Sequence, residues 1–455
     1  MVSTRDTAPR IGGKANRTVL CGNIHHKAAY PNIAVLADSF CGVYLCIAFS
    51  GELAVACCHG DFQLNDFLIS SGRIGYGHSL FTKTTLAIPV PCSSKEEILG
   101  EETIVKIAYL LWYDVAHETG VIKKVANQVR SWQRHGHTPQ LFAMGDCREI
   151  WSGANDIPHQ VFGGHSLFQR IRKSREVVEA IRKWNPDVVY FRFSAYYPAM
   201  ENLLNDFPFV LEVNTDDVSE FRRSLPYPLY LYHRLTRERV LRKAAGIVSV
   251  TPELSNMLPR VRAKKTVISN GILLDDYSQL DLRNAVRQTR LAFVGTPQRD
   301  WHGVDQILRM AQRLPHWQFD IVGYQPTNAR VPSNVKFYGF LSPIAYHQIL
   351  GRADAAIGSL ALYRNSLRQG CALKVREYLA CGLPTIVGYD DVDFPTPVPH
   401  LLQLNTSVSG IEEQIPAIDN FIARWRTKRV AVESIAHLNL DLKESKRLDF
   451  FHQIA

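Results

Sequence analysis

The sequence predicts an α/β fold of two domains, each built on a parallel sheet, and three observations predict it. Short continuous apolar runs recur along most of the chain, among them KIAYLLWY from Lys106, VVYF from Val188, LAFVG from Leu291 and FDIVG from Phe319. Such runs suit strands buried on both faces of a parallel sheet. Between them lie glycine-bearing loops and helix-length segments with apolar residues at three- and four-residue spacing. At 455 residues the chain has room for two or three domains.

Residues 1–103 read differently from the rest. They hold six of the nine cysteines, and their apolar pieces are short and broken by Gly, Ser and Pro. We expect an atypical, poorly ordered extension ahead of the first strand at Val105. An in-frame upstream reading is one expectation here, because a GTG start codon annotated too far upstream would appear as a valine. No cysteine pair has zinc-site spacing with a second pair or a histidine cluster, so no metal is expected. The longest apolar run, Phe40 to Ser50, is well short of the roughly 20 residues that span a bilayer. Together these suit a cytoplasmic protein, and the basic stretch from Glu220 to Lys243 adds peripheral contact with the inner face of the membrane as one expectation.

Charge is unevenly spread. The net formal charge is +9, yet the first 103 residues carry 8 basic and 9 acidic side chains. The positive excess therefore belongs to the remainder. A basic protein of this kind suits phosphorylated substrates or anionic lipid. No nucleic-acid motif accompanies the charge, so nucleic acid is not expected as a partner.

The expected first domain spans 104–285. Its opening strand leads through DVAHETG to a helical stripe of Val121, Val125, Val129 and Trp132. A glycine loop at the carboxyl end of a strand is where open α/β sheets bind ligands. It is not a dinucleotide fingerprint, since G-x-G-x-x-G is absent. PFVLEVNTDD reads as a strand ending in polar residues, which puts Glu212 and Asn214 near the mouth of the sheet. Glu220 to Lys243 interleaves basic residues with Leu and Tyr. A solvated helix face accounts for it, and so does contact with anionic lipid head groups.

The expected second domain spans 286–435, with a final helix, 436–455, folding back on the first. Its chemistry centres on SLRQGCALKVREYLACGLPTIVG, residues 366–388. Gly370, Cys371 and Ala372 are small and open a helix on which Val375, Tyr378 and Leu379 share one face. A helix head offers unpaired N–H groups and partial positive charge, a seat for phosphate. Lys374 adds a full charge. Glu377, one turn on, can accept hydrogen bonds from ribose hydroxyls. A surface helix with an ordinary Glu and Lys is the plainer reading of the same residues.

LKVREYLACGLPTIVG resembles the donor-site helix of retaining glycosyltransferases of the GT-B fold, the family-four group that uses nucleotide sugars. KKTVISNGILLDDY and WHG resemble further segments of that family, in the right order over about 105–454, and EVN resembles a bacterial surface-polysaccharide subgroup. The resemblance implies two Rossmann-like domains with the donor in the cleft. It implies that Glu377 holds the ribose and that Gly120, with Thr119 as donor, faces the diphosphate. Gly295 and the Tyr338-Gly339-Phe340 turn would lie against the nucleotide, with Gly370, Cys371 and Ala372 at the helix head. The family's first signature acid falls on Gln369, which would hold the transferred sugar. Its Arg and Lys clamps fall on Thr296 and His302, leaving Lys374, His302 and Arg299 to hold the phosphates. Glu212 and Asn214 would lie on the acceptor side.

The implied activity is hexosyl transfer with retention to a glycan or lipid-linked acceptor, without a cofactor or metal. Two rivals share these residues. One is a nucleotide-sugar epimerase of the same fold. The other is a non-catalytic relic, because three charged family positions are replaced.

Overall fold

The computed structural model describes residues 103–281, 288–326, 330–406 and 410–455, together with the backbone of three strands nearer the amino terminus. Those strands, Ile33–Ala37 (β1), Val43–Phe49 (β2) and Glu52–Cys57 (β3), form an antiparallel meander in register Ile33 to Ile47 and Tyr44 to Cys57. They belong to a separate compact unit, residues 1–95. The expectations of low order and of upstream reading for 1–103 otherwise lie outside the described residues.

The second unit, 96–455, holds two parallel sheets. The first is built from Lys106–Leu111 (β4), Thr138–Gly145 (β5), His159–Gly163 (β6), Val188–Arg192 (β7), Phe209–Val213 (β8), Gly246–Ser249 (β9) and Lys264–Val267 (β10). Their order is β10-β9-β8-β7-β4-β5-β6, and all neighbours are parallel. The strand order turns at β4, so the loop after it opens into a crevice. Each strand is an apolar run because helices cover both faces: Gly120–Arg134 (α1), Leu167–Trp184 (α2), Met200–Asp206 (α3), Asp217–Ser224 (α4), Tyr227–Lys243 (α5) and Pro252–Met257 (α6). The basic stretch from Glu220 to Lys243 is two helices rather than one. Pro226 cannot donate a backbone hydrogen bond, and the chain breaks there.

The second sheet has the order β13-β12-β11-β14-β16-β18. Its strands are Arg290–Val294 (β11), Gln318–Val322 (β12), Val335–Phe337 (β13), Ala355–Ile357 (β14), Thr385–Val387 (β16) and Leu401–Gln403 (β18), all parallel. A two-stranded ladder, Gln369–Gly370 (β15) with Asp390–Asp391 (β17), sits beside it. The helices are Val304–Arg313 (α7), Pro343–Leu350 (α8), Leu373–Ala380 (α9) and Ile415–Trp425 (α10). One cluster of apolar side chains packs α7 and α10 on one face, and a smaller one packs α8 and α9 on the other. This is the predicted α/β architecture of two parallel-sheet domains.

The last helix, Leu440–His452 (α11), packs on α1 of the first sheet. Phe450 and Phe451 bury into that sheet's core, while Asp441 accepts from Ser131 at 2.5 Å and Trp132 donates to Glu444 at 2.8 Å.

Candidate functional site

The α9 head carries the clearest anion chemistry. Ala372 is its N-cap and supplies no side-chain acceptor, and no acidic residue stands in the first turn. The first N–H groups of the helix are therefore left for a ligand. The loop before it is held from the other domain, where Asn270 donates to the Cys371 carbonyl at 2.9 Å. Gly120 opens α1 and faces this head. A Cβ built on Gly120 would stand 3.9 Å from the Leu373 side chain, an ordinary van der Waals contact, and its φ is not positive, so neither crowding nor a left-handed turn demands glycine here. The Thr119 hydroxyl accepts from the Ile122 N–H at 3.3 Å as the α1 cap, which leaves its proton free to donate.

Lys374 completes the head. Its Nζ is shielded from solvent and has no hydrogen-bond partner, and it lies 4.4 Å from the centroid of the Phe293 ring. Burial pushes its pKa down to about 7, because nothing nearby compensates the ammonium charge. An uncompensated cation beside uncapped N–H groups is what a bound anion would relieve. Glu377 lies three residues further along α9. Its Oε1 accepts from the Tyr346 hydroxyl at 2.6 Å and from His347 Nε2 at 2.7 Å, both on α8. These two bonds orient the carboxylate and leave Oε2 for a hydroxyl.

Burial, with Lys374 and Arg299 nearby, pushes the pKa of His302 down to about 2, so the ring is neutral. The Thr296 carbonyl can only accept, and the Tyr324 hydroxyl donates to it at 2.7 Å. His302 Nδ1 lies within hydrogen-bond distance of the same Tyr324 oxygen, at 2.8 Å. A neutral ring carries no charge, so the positive charge is left to Lys374 and Arg299.

The structure does not gather every expected residue into one cavity. Arg299, Gly339 and Phe340 line a cavity of about 820 Å³ with Tyr324, Gln325 and Arg364. Neither Lys374 nor Glu377 lines it. Gly295 follows β11, and the Val322 carbonyl accepts from its N–H at 3.1 Å. A Cβ there would meet the Phe293 ring at 2.7 Å and His302 at 2.9 Å, so the loop closes only over glycine. Gly370 is tight against Tyr389 in the same sense.

Glu212 is not at the mouth of the sheet. It is fully buried, 2.8 Å from Lys124 Nζ, with Arg447 at 3.8 Å and Arg192 at 3.5 Å. These cations hold its carboxyl far below the usual range against the opposing cost of burial. The strand alternation that puts Glu212 on the α1 side also takes it away from solvent. Asn214, half-buried, bridges the pair: its amide donates to Glu212 at 2.9 Å and its oxygen accepts from Lys124 at 2.9 Å. Of the two acceptor-side residues only Asn214 keeps some exposure to solvent.

One part of the site was not foreseen. Arg376 is fully buried and makes a bidentate pair with Asp391 at 2.6 and 2.7 Å, and a further bond to Asp393 at 2.6 Å. Asp393 also accepts from Ser269 and Lys443, each at 2.7 Å. This network fixes the roll of α9 and ties it to the first domain. The acidic run Asp390-Asp391-Val392-Asp393 was the sequence signal that could have found it.

Residues 119–276 match the family model described as Glycosyltransferase Family 4, and residues 288–396 match that described as Glycosyl transferases group 1. No curated protein sequence matches the chain. Among solved structures it resembles a sucrose-phosphate synthase from Thermosynechococcus elongatus, with 15% identity, a TM-score of 0.56, and coverage of 76% of this chain and 98% of that one. A lipopolysaccharide outer core galactosyltransferase, WaaB, gives 13% identity and a TM-score of 0.56 over 76% and 99%. HepE of Anabaena, solved with UDP and glucose, gives 13% identity and a TM-score of 0.54 over 76% and 100%. At these identities the structures speak for the fold.

Proposed function

We propose that this chain, which belongs to the glycosyltransferases, moves a sugar with retention from a nucleotide-diphosphate donor to a glycan or lipid-linked acceptor in surface polysaccharide or glycoconjugate synthesis. The observation that carries the reading is the shielded, unpartnered ammonium of Lys374 at the uncapped head of α9, one turn from Glu377. The diphosphate takes the helix N–H groups, Lys374 and Arg299, and the ribose takes Glu377. The UDP and glucose held by HepE favour a donor of that class here. Basic groups rather than a metal neutralise the departing diphosphate.

In the reaction the C1–O bond to phosphate breaks and a C1–O bond to the acceptor forms on the same face of the sugar. The acceptor proton passes to the leaving phosphate oxygen, so no protein nucleophile is needed. Calorimetry of the full chain with UDP, GDP and their sugars tests the reading. One nucleoside diphosphate should bind with a micromolar Kd, about 8 kcal/mol, and be released as product when acceptor is added. Binding of none of them would return the relic reading.

The acceptor side of the reading includes peripheral contact with an anionic membrane. On α5, Tyr227, Leu231 and Leu235 are exposed at successive helical turns, with Arg234, Arg239 and Arg242 exposed on the same helix. Apolar side chains flanked by arginine suit an anionic lipid surface. Among the described residues no helix is long and apolar enough to cross a membrane. Leu231→Glu with Leu235→Glu should lower co-sedimentation with phosphatidylglycerol vesicles at least tenfold. Equal recovery of both proteins with the vesicles would refute the contact.

A further inference from the structure

The position that lacks its family acid has a carboxylate after all, delivered from the other domain. Gln369 is pinned: its side-chain oxygen accepts from the Glu253 N–H at 2.9 Å, at the start of α6. In return the Glu253 carboxylate receives the backbone N–H of Gln369 at 2.8 Å and that of Arg368 at 2.9 and 3.1 Å. The two residues thus exchange hydrogen bonds across the cleft. With its carbonyl engaged, Gln369 offers a ligand chiefly its NH₂ donors. A sugar hydroxyl also needs an acceptor for its own proton.

Glu253 is placed to be that acceptor. It is half-buried and, among the described residues, forms no ion pair, so its negative charge is met only by backbone N–H groups. A carboxylate has about four lone-pair directions, and Oε1 keeps one unused here. Glu253, Gln369, Arg368, Asn256 and Asp390 line a cavity of about 420 Å³, within the size range of small-ligand sites. Met257 and Pro252 add apolar surface to the same cavity, suited to the C–H face of a pyranose. It adjoins Gly370 and the loop leading into the α9 head.

We propose that Glu253 supplies the carboxylate that Gln369 lacks, so that a residue of the first domain grips the hydroxyls of the transferred sugar and sets donor specificity. The inference rests on the nucleotide-sugar reading above. It also implies that the sugar subsite exists only while the two domains are apposed, because its acceptor and its donors come from different domains.

The test uses the full chain and two variants, Glu253→Gln and the double variant Glu253→Gln with Gln369→Glu. Calorimetry is run with UDP, GDP, UDP-glucose, UDP-galactose and GDP-mannose. Glu253→Gln should leave the affinity for the free diphosphate within about twofold and weaken the preferred nucleotide sugar about tenfold, the effect of one charge-assisted hydrogen bond. The double variant, with an acid restored at 369, should recover most of that loss. A purely structural clasp would lower affinity for diphosphate and sugar nucleotide together and would not be rescued, which overturns the proposal. So does a nucleotide-sugar affinity untouched by Glu253→Gln. If the unaltered protein binds neither UDP nor GDP, the nucleotide reading fails first and this inference fails with it.

Discussion

Replacing Lys374 with Met and Glu377 with Ala should abolish measurable binding of nucleoside diphosphate. Each removes one charge-assisted contact worth about 1.5–3 kcal/mol, roughly 10–100-fold in Kd. The pair should cost roughly 10²–10⁴-fold if the contacts add, less if they share the ligand's positioning. The lysine has a second signature. Its pKa in the free protein is about 7 because its burial is uncompensated. A bound diphosphate favours the ammonium form, so above that pH binding must take up a proton. Affinity should therefore fall as pH rises from 7 to 9, by up to tenfold per unit. Ligand ionisation does not confuse this window, since a terminal phosphate titrates near pH 6. Lys374→Met should be weak at both ends and flat between them. A Lys374→Met protein that binds UDP as tightly as the original, with the same pH slope, would dispose of the α9 head as the phosphate seat.

Arg447→Ala should lower the melting temperature more than any substitution at the cleft surface. Arg447 is fully buried, pairs with Glu444 on its own helix and lies 3.8 Å from Glu212. Its guanidinium also sits 5.8 Å from the Tyr190 ring centroid. Glu444 receives Trp132 Nε1 and Gln128 Nε2 as well, so α11 is keyed to α1 and β8 through one polar network. Removing the arginine leaves Glu444 buried with the neutral donors Trp132 and Gln128, and Glu212 with Lys124 and Arg192. Breaking a buried pair from one side typically costs about 3–5 kcal/mol, or roughly 6–20 °C in a domain of this size. Scanning calorimetry reads the shift. A melting temperature within 2 °C of the parent would mean that α11 is held by its aromatic contacts and that the network is energetically idle.

The two halves of the molecule differ in how much of them the sequence discloses. Parallel strands are legible because an apolar run such as KIAYLLWY or LAFVG satisfies itself by burial on both faces, whatever its neighbours are. The α9 head is legible for a similar reason. Small residues, Lys374 and Glu377 lie within eight positions, and helix geometry alone puts them within reach of one ligand. Glu212 was misplaced because a strand-end acid looks the same whether it meets solvent or a cation. Its partners, Lys124 and Arg447, are 88 and 235 residues away. The neutral state of the His302 ring is likewise not legible in the sequence, because it follows from burial beside Lys374 and Arg299, 72 and 3 positions away.

What the chain determined by itself was the alternation of strand and helix, the parallel sheets and the anion-ready helix head, all properties of residues near one another in sequence. Tertiary structure alone decided which charges are buried and which are offered. Lys374 is left without a partner, Glu212 is caged, and the carboxylate beside Gln369 comes from Glu253, 116 residues earlier. The physical reason is that desolvation and hydrogen-bond satisfaction depend on what stands across a gap, and two domains meeting at a cleft set those gaps.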